Sequence, residues 1–434
     1  MKFGGTSVQD ASSLKQVATI VKSHLIEPDG LVVVLSATAG TTDALLEIAR
    51  SAGLGKDVAD ALDVLETRHT TILSQLAPLA SDIGLRKVLE ECKVYARALK
   101  VLGECTPQSL DHMAAFGEQL STTILHSALE SEAVQTTYFD VRQIMRTDDT
   151  FCSANVDFAT TSQLSTKYLL PRCATGSVVV TQGFVGADQN DRTTTLGRGG
   201  SDYTCAILGA VLGAREIRIW TDVSGVYSAD PRIVPEAQPI TELSFGEVRE
   251  MALYGAKVLH PDTIAPAIDA SIPVQVLNTF RPNEPGTRIV GHSTTASDIH
   301  AVSIVRSCCY VRCDSTTATH LRSLAELSAT IALETETAET SMFVFRTPTE
   351  NSYLALEVAL ADSSVQIQRV SLIAVTGPAV SSPHVTAVVI SAMSSLVVYC
   401  LSSGATEHTI FLAVDDQHGN DAIRAIHAII PRHQ

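Results

Sequence analysis

Two patterns alternate along most of this chain. Short β-branched runs bounded by glycine occur at Leu31–Leu35 ("LVVVL"), 177–186 ("SVVVTQGFVG"), 215–225 ("REIRIWTDVSG") and 272–278 ("IPVQVLN"). Runs that are apolar on both faces predict buried strands of a largely parallel sheet. Between them, residues 12–23, 56–76 and 113–131 place apolar side chains three and four positions apart, the spacing of amphipathic helices. Strands alternating with helices predict an α/β fold, a mostly parallel sheet sandwiched by helices.

The texture changes near residue 290. Residues 283–298 ("NEPGTRIVGHSTTASD") are rich in Gly, Ser and Thr and read as a linker. Beyond it come short strand candidates, "IHAVSIVRS", "SMFVFRT", "VSLIAVTG" and "HTIFLAV", with short helical pieces such as 420–429. Units of this size predict one or two small α+β modules. There is no repeat at solenoid period. The expected division is therefore 1–290 and 299–434.

Composition narrows the function classes. Of 434 residues, 45% are hydrophobic and 18% charged, enough for sizeable buried cores. The formal net charge of -16 argues against nucleic-acid binding through the whole surface, but leaves room for a local cationic pocket for phosphates. Nine cysteines without a CxxC pair predict reduced, mostly buried thiols in a cytoplasmic protein and give little support to a zinc site. "MKFGGTSV" lacks the apolar stretch of a signal peptide, and the most apolar segment, 386–400, is too short and serine-rich for a membrane span.

Six stretches carry candidate chemistry. "LGRGGSDYTC" (196–205) packs three glycines around Arg198, with Ser201 and Asp202 following. Glycines at that density let a backbone approach an anion, yet an aspartate would repel phosphate. "KFGGTS" (2–7) fits a phosphate nest at Gly4 and Gly5 with Lys2 as a point charge, or equally a tight turn. It is not a Walker A loop, and the nearest imitation, "GLGKD" at 53–57, lacks the required residues. In "LSATAGTTD" (35–43), Ser36, Thr41 and Thr42 can donate to a ligand at a strand's end, or Thr41 or Thr42 can cap the next helix. In "FGEQLS" (116–121), Glu118 reads by itself as a solvated helix residue. "WTDVSGVYSADPR" (220–232) and "YGAKVLHP" (254–261), the latter with Lys257, are singly plausible turns.

Taken together and in this order, these stretches resemble the aspartate kinases of the amino-acid-kinase family, in particular the monofunctional, lysine-sensitive type. "KFGGTS", "GRGGSD" and "TDVSGVYSADPR" are the specific part of the match, and the tail is the weaker part. The resemblance implies a catalytic domain over 1–290 and a tandem ACT regulatory domain over 299–434. It implies transfer of the γ-phosphoryl group of ATP to the side-chain carboxylate of L-aspartate, the first step towards lysine (through diaminopimelate), threonine and methionine. Arg198 would take the α-carboxylate of aspartate, Glu118 the α-ammonium, and Ser36, Thr42 and Ser201 would line the same pocket. Lys2 and Lys257 would neutralise the transferring phosphoryl group, with Asp202 orienting the lysines as a third catalytic residue. Lys2, Gly4, Gly5, Thr221, Asp222, Tyr227, Arg232 and Lys257 would hold ATP, with Mg²⁺ arriving on the nucleotide and no dedicated protein metal site. A homodimer or homotetramer is implied, with lysine as a possible effector and neither nucleic acid nor membrane as partner.

Two departures from the family pattern matter. Family members usually have several more residues before the position of Lys2, so the expectation is either a short first strand or a true start that lies upstream. Residues 319–345 are several residues shorter than usual between Leu324 and the acidic "ETAETS" run. Lysine inhibition is accordingly expected to be weak or absent while dimerisation persists. Rival readings are an amino-acid kinase with another acceptor, such as glutamate or carbamate, and a non-catalytic ACT-type amino-acid sensor. A fusion to a dehydrogenase is not expected at this length.

Overall fold

The computed structural model describes residues 1–25, 30–256, 259, 261–293, 297–324, 331–336, 340–347, 349–360 and 365–431. In chain order the helices are α1 (Ala11–Ser23), α2 (Thr41–Gly53), α3 (Ala59–Leu76), α4 (Ile83–Leu102), α5 (Pro107–Ser131), α6 (Phe158–Leu164), α7 (Gly200–Leu212), α8 (Phe245–Leu253), α9 (Pro261–Asp269), α10 (Ser315–Ser323), α11 (Glu350–Ala359), α12 (Pro383–Ala392) and α13 (Gly419–His427). The strands are β1 (Lys2–Phe3), β2 (Leu31–Leu35), β3 (Thr136–Phe139), β4 (Val178–Gln182), β5 (Val185–Ala187), β6 (Thr193–Thr195), β7 (Ile217–Thr221), β8 (Glu242–Ser244), β9 (Val274–Asn278), β10 (Thr287–Val290), β11 (Ala301–Cys313), β12 (Ile331–Glu336), β13 (Ser341–Arg346), β14 (Gln366–Thr376), β15 (Val398–Ser402) and β16 (Thr409–Asp415).

The chain divides into two compact units, one of Met1–Gly225 with Leu259–Val290, the other of Val226–Val258 with Gly291–Gln434. Relative to the expected 1–290 span, the stretch Val226–Val258 is grouped with the second unit.

In the first unit the strand order is β3-β4-β2-β1-β7-β9-β10. All neighbours are parallel except β10, which runs antiparallel to β9. Every residue of β4 ("VVVTQ") is buried, as a strand covered on both faces requires. Strand β1 is only two residues long, and it lies between β2 and β7. The chain leaves β1 for β2 on one side and later returns to its other side as β7. That reversal of strand order is where open α/β sheets bind ligands, beyond the carboxyl ends of the strands. Helix α5 crosses behind this region with all sides buried from Met113 to Leu125. It starts earlier than its apolar periodicity predicts, because Thr106 caps it, accepting from the Ser109 amide, and Pro107 opens it.

Two local expectations are corrected. The 283–298 stretch is not all linker, since Thr287–Val290 forms β10. Gly286 makes this possible: at φ 66°, with a Cβ position only 2.1 Å from the Val276 carbonyl oxygen, no other residue turns the chain this tightly beneath β9. Helix α2 is capped by neither Thr41 nor Thr42. Gly40, at φ 77°, is its N-cap, and the Thr41 hydroxyl is engaged with Thr38 instead.

The second unit is built on one antiparallel sheet, order β12-β13-β11-β14-β16-β15. One core gathers Val311, Ala318, Phe343, Phe345 and Leu356 around α10 and α11, and another gathers Val375, Val389, Leu412, Ala422 and Ile426 around α12 and α13. The apolar segment at 386–400 is the end of α12 followed by the start of β15, and no helix among the described residues is long and apolar enough to cross a membrane. Val226–Val258 is tied into this unit by Ala229 and Val234 in the second core and by a fully buried contact of 2.6 Å between His300 Nδ1 and Glu247 Oε1.

Candidate active site

The motifs of the first unit follow the carboxyl ends of sheet strands or open a helix, except "FGEQLS", which lies in the middle of α5. Gly4 and Gly5 follow β1, Ser36 follows β2, Gly183 and Phe184 follow β4, and Asp222 follows β7. The loops after β1, β2 and β4 meet the start of α7 and the middle of α5 around one cavity of about 360 Å³. Of the sequence-predicted residues, Lys2, Gly5, Ser36, Thr42, Glu118, Arg198, Ser201 and Asp202 line it.

Glycine is required at several points of this wall. A Cβ on Gly5 would sit 2.9 Å from the Ala37 carbonyl oxygen, so the turn after β1 and the loop after β2 touch backbone to backbone. The Ala39 amide donates to the Gly5 carbonyl across that contact, at 3.1 Å. In the "GRGGSD" stretch, Gly197 and Gly199 sit at φ 73° and 75°, in the left-handed region that glycine adopts at little cost. Gly199 is also the N-cap of α7, so the start of this helix, with Ser201 and Asp202 in its first turn, forms part of the cavity wall.

The charges are arranged in two groups. The Lys2 ammonium, 10% exposed, lies 2.7 Å from Asp202 Oδ1. The exposed Arg198 guanidinium has no ion pair to any described residue, leaving its fork open for a planar anion. Glu118 overturns the solvated-face reading, for it is 3% exposed. One carboxylate oxygen accepts from the Ala37 amide at 3.1 Å, and the other has no partner among the described residues. Burial pushes the Glu118 carboxyl up to about 8. A buried carboxylate with one unpaired oxygen on a cavity wall is suited to receive a cation.

Sequence reasoning missed two contributors. Phe184 lines the cavity with φ at 69°, rare for an aromatic residue; the glycines on either side of "FV" directly after a strand were the available signal. Asp111 lies two helical turns before Glu118 on α5. Its carboxylate accepts from the Cys152 amide (2.9 Å), the Thr195 amide (3.0 Å) and the Thr195 hydroxyl (2.7 Å), and so pins the strand leading into the Arg198 loop.

The remaining predicted residues are elsewhere. Gly4 donates its amide to the Trp220 carbonyl at 3.2 Å and is not in the cavity wall. Thr221 ends β7, beside β1, and its hydroxyl donates to Asp222 at 3.1 Å. Tyr227 and Arg232 belong to the second unit, where the exposed Arg232 pairs with Asp230. Lys257 lies outside the described residues, as do residues 325–330 and 337–339 of the shortened segment.

The profile of the Amino acid kinase family matches residues 1–278. Lysine-sensitive aspartokinase 3 of Escherichia coli (strain K12) is 39% identical over 333 residues, covering 76% of this chain and 73% of that protein. The crystal structure of E. coli aspartokinase III in complex with lysine and aspartate (T-state) superposes with a TM-score of 0.82 at 32% identity, covering 99% of each chain. The same enzyme in complex with aspartate and ADP (R-state) gives 0.77 at 31% identity over 98% of each. With a family match over more than half its length, and relatives of this similarity along nearly all of it, the chain belongs to the amino acid kinase family, among its aspartokinases.

Proposed function

We propose that the chain transfers the γ-phosphoryl group of ATP to the side-chain carboxylate of L-aspartate, and that the cavity between β1, β2, α5 and α7 holds the reacting groups. The observation that carries this reading is the convergence on one cavity of an unpaired guanidinium, a buried carboxylate with a free oxygen, and a lysine–aspartate pair. An amino acid offers one carboxylate and one ammonium to the first two, and its side chain is then left to meet the third.

The acceptor carboxylate is ionised at neutral pH, so no general base is needed. An aspartate oxygen attacks the γ-phosphorus while the bond to the β–γ bridging oxygen breaks, giving 4-phospho-L-aspartate and ADP. The difficulty is the approach of one anion to another, and catalysis comes from positioning and from cations around the transferring group. Arg198 takes the α-carboxylate and Glu118 the α-ammonium. Ser36, Thr42 and Ser201 supply hydroxyls. Lys2, held by Asp202, faces the transferring group together with the Gly5 turn, and Lys257 adds a second cation. Gly4, Thr221 and Asp222 contribute to the nucleotide side.

The cavity fits a Mg²⁺ that arrives on the nucleotide, because a lysine and glycine-rich backbone are available there for the phosphate oxygens that would carry it, while Asp202 stays with Lys2. When bound, that ion screens the phosphate charge. The catalytic domain spans 1–290. The region 299–434 forms two ACT modules that pair between subunits in a dimer or tetramer, with lysine as the candidate effector. The test is ADP release by purified protein: turnover should need both MgATP and L-aspartate, and turnover indifferent to aspartate would reject the proposal.

A further inference from the structure

The loop from Ser36 to Asp43 is gripped from outside the cavity by two residues that the chemistry above does not use. Arg68 and His69 are neighbours on α3. His69 is fully buried, and its Nδ1 lies 2.7 Å from the Leu65 carbonyl oxygen. A carbonyl only accepts, so Nδ1 carries the proton, and in the neutral ring Nε2 is an acceptor. Burial takes the ring down to about 4, with the adjacent Arg68 charge acting in the same direction, so it is neutral at neutral pH. The Thr38 hydroxyl, 3.2 Å from Nε2, is then the donor. Its oxygen in turn accepts from the Thr41 hydroxyl at 2.5 Å. The Thr41 oxygen receives Arg68 Nη1 at 3.4 Å, while Nη2 donates to the carbonyls of Ala39 (2.9 Å) and Gln9 (3.3 Å). Every bond in this chain has one possible direction.

The loop so held is part of the site. Thr38 and Thr41 are 1% and 0% exposed, and Thr38, Ala39, Gly40 and Thr42 line the cavity. The Ala37 amide in the same loop holds the Glu118 carboxylate. On its inner side the loop bonds to Gly5. It is therefore clamped between the turn after β1 and the α3 pair.

We propose that Arg68 and His69 are positioning residues for the acceptor amino acid, acting through Thr38 and Thr41 to fix the loop that sets the Ala37 amide against Glu118. This rests on the aspartate-phosphorylation reading.

The test compares His69→Leu, which removes the acceptor, with His69→Gln, whose amide oxygen can accept from Thr38, and with Thr38→Val. His69→Leu and Thr38→Val should each raise the aspartate KM about tenfold, the loss of a buried hydrogen bond, and leave the ATP KM within about twofold. His69→Gln should recover most of the aspartate KM. A lower melting temperature with both KM values unchanged would overturn the positioning role, as would equal increases in both. Should His69→Leu not fold, Thr38→Val and ¹⁵N NMR of the wild-type protein decide. The signal lost in His69→Gln must be a neutral Nδ1–H tautomer, and an Nε2–H tautomer contradicts the chain. Wild-type protein without aspartate-dependent turnover would overturn the activity reading and the positioning role with it, whereas turnover with unchanged variant KM values overturns the positioning role alone.

Discussion

Asp202 holds the Lys2 ammonium at 2.7 Å, from the first turn of α7 to a strand of only two residues. This pair reconciles an aspartate with a glycine-rich anion loop, for its charge is spent on the lysine. A cation needed most in the transition state changes kcat more than KM when removed. Lys2→Ala is therefore expected to lower kcat by roughly 100-fold or more, with a small change in aspartate KM. Asp202→Asn should lower kcat in the same sense. The double variant should be little worse than Lys2→Ala, because the two residues act as one unit. Steady-state kinetics of the three variants checks this.

Glu118 makes the binding of aspartate pH-dependent. With its carboxyl pushed up to about 8 by burial, the empty cavity holds it protonated at neutral pH. The α-ammonium binds the carboxylate form, so binding must expel that proton. Aspartate KM should fall as pH rises from about 6 to about 8, and calorimetry at neutral pH in buffers of different ionisation enthalpy should register about one proton released. Proton uptake would contradict the assignment. A carboxyl raised in the folded state also makes stability fall as pH rises from its unfolded value of 4.5 through about 8. Glu118→Gln should remove that slope while weakening aspartate binding.

Arg198 makes no ion pair with a described residue, so its replacement costs the fold little. Arg198→Ala should raise the aspartate KM by roughly 10- to 100-fold, the value of a charge-assisted hydrogen bond of about 1.5–3 kcal/mol. Arg198→Lys should recover only part of this, since an ammonium lacks the planar fork. An unchanged KM with a lowered kcat would move Arg198 to the phosphoryl end.

How far the sequence was readable depended on the kind of contact. Strand β2 and the ends of α1 and α3 followed closely from apolar spacing, which is local information. Helix α4 has the same periodicity at Leu85, Val88, Leu89, Cys92, Ala96 and Leu99, and was readable though not anticipated. Glu118 was not readable from its own stretch, because its burial is fixed by the Ala37 amide, distant in sequence. Nor was the Gly40 cap, which depends on the Thr38–Thr41 bond, or β10, which depends on Gly286 beneath Val276. Motif order carried the site where periodicity could not.

The shortened 319–345 segment gives a prediction about regulation. Light scattering should show a dimer or larger species without any amino acid, while lysine at micromolar concentrations should change activity little. Strong micromolar inhibition would mean that the shorter segment still builds an effector pocket.

The measurement closest to the central claim is the rate of acyl-phosphate formation, trapped as hydroxamate, with L-aspartate and with L-glutamate at equal concentration. Glu118 and Arg198 fix the amino-acid end, so one extra methylene misplaces the attacking carboxylate against Lys2. The account predicts rapid hydroxamate formation with MgATP and L-aspartate and at least about tenfold less with L-glutamate. Equal rates with the two acceptors, or faster reaction with L-glutamate, would contradict it.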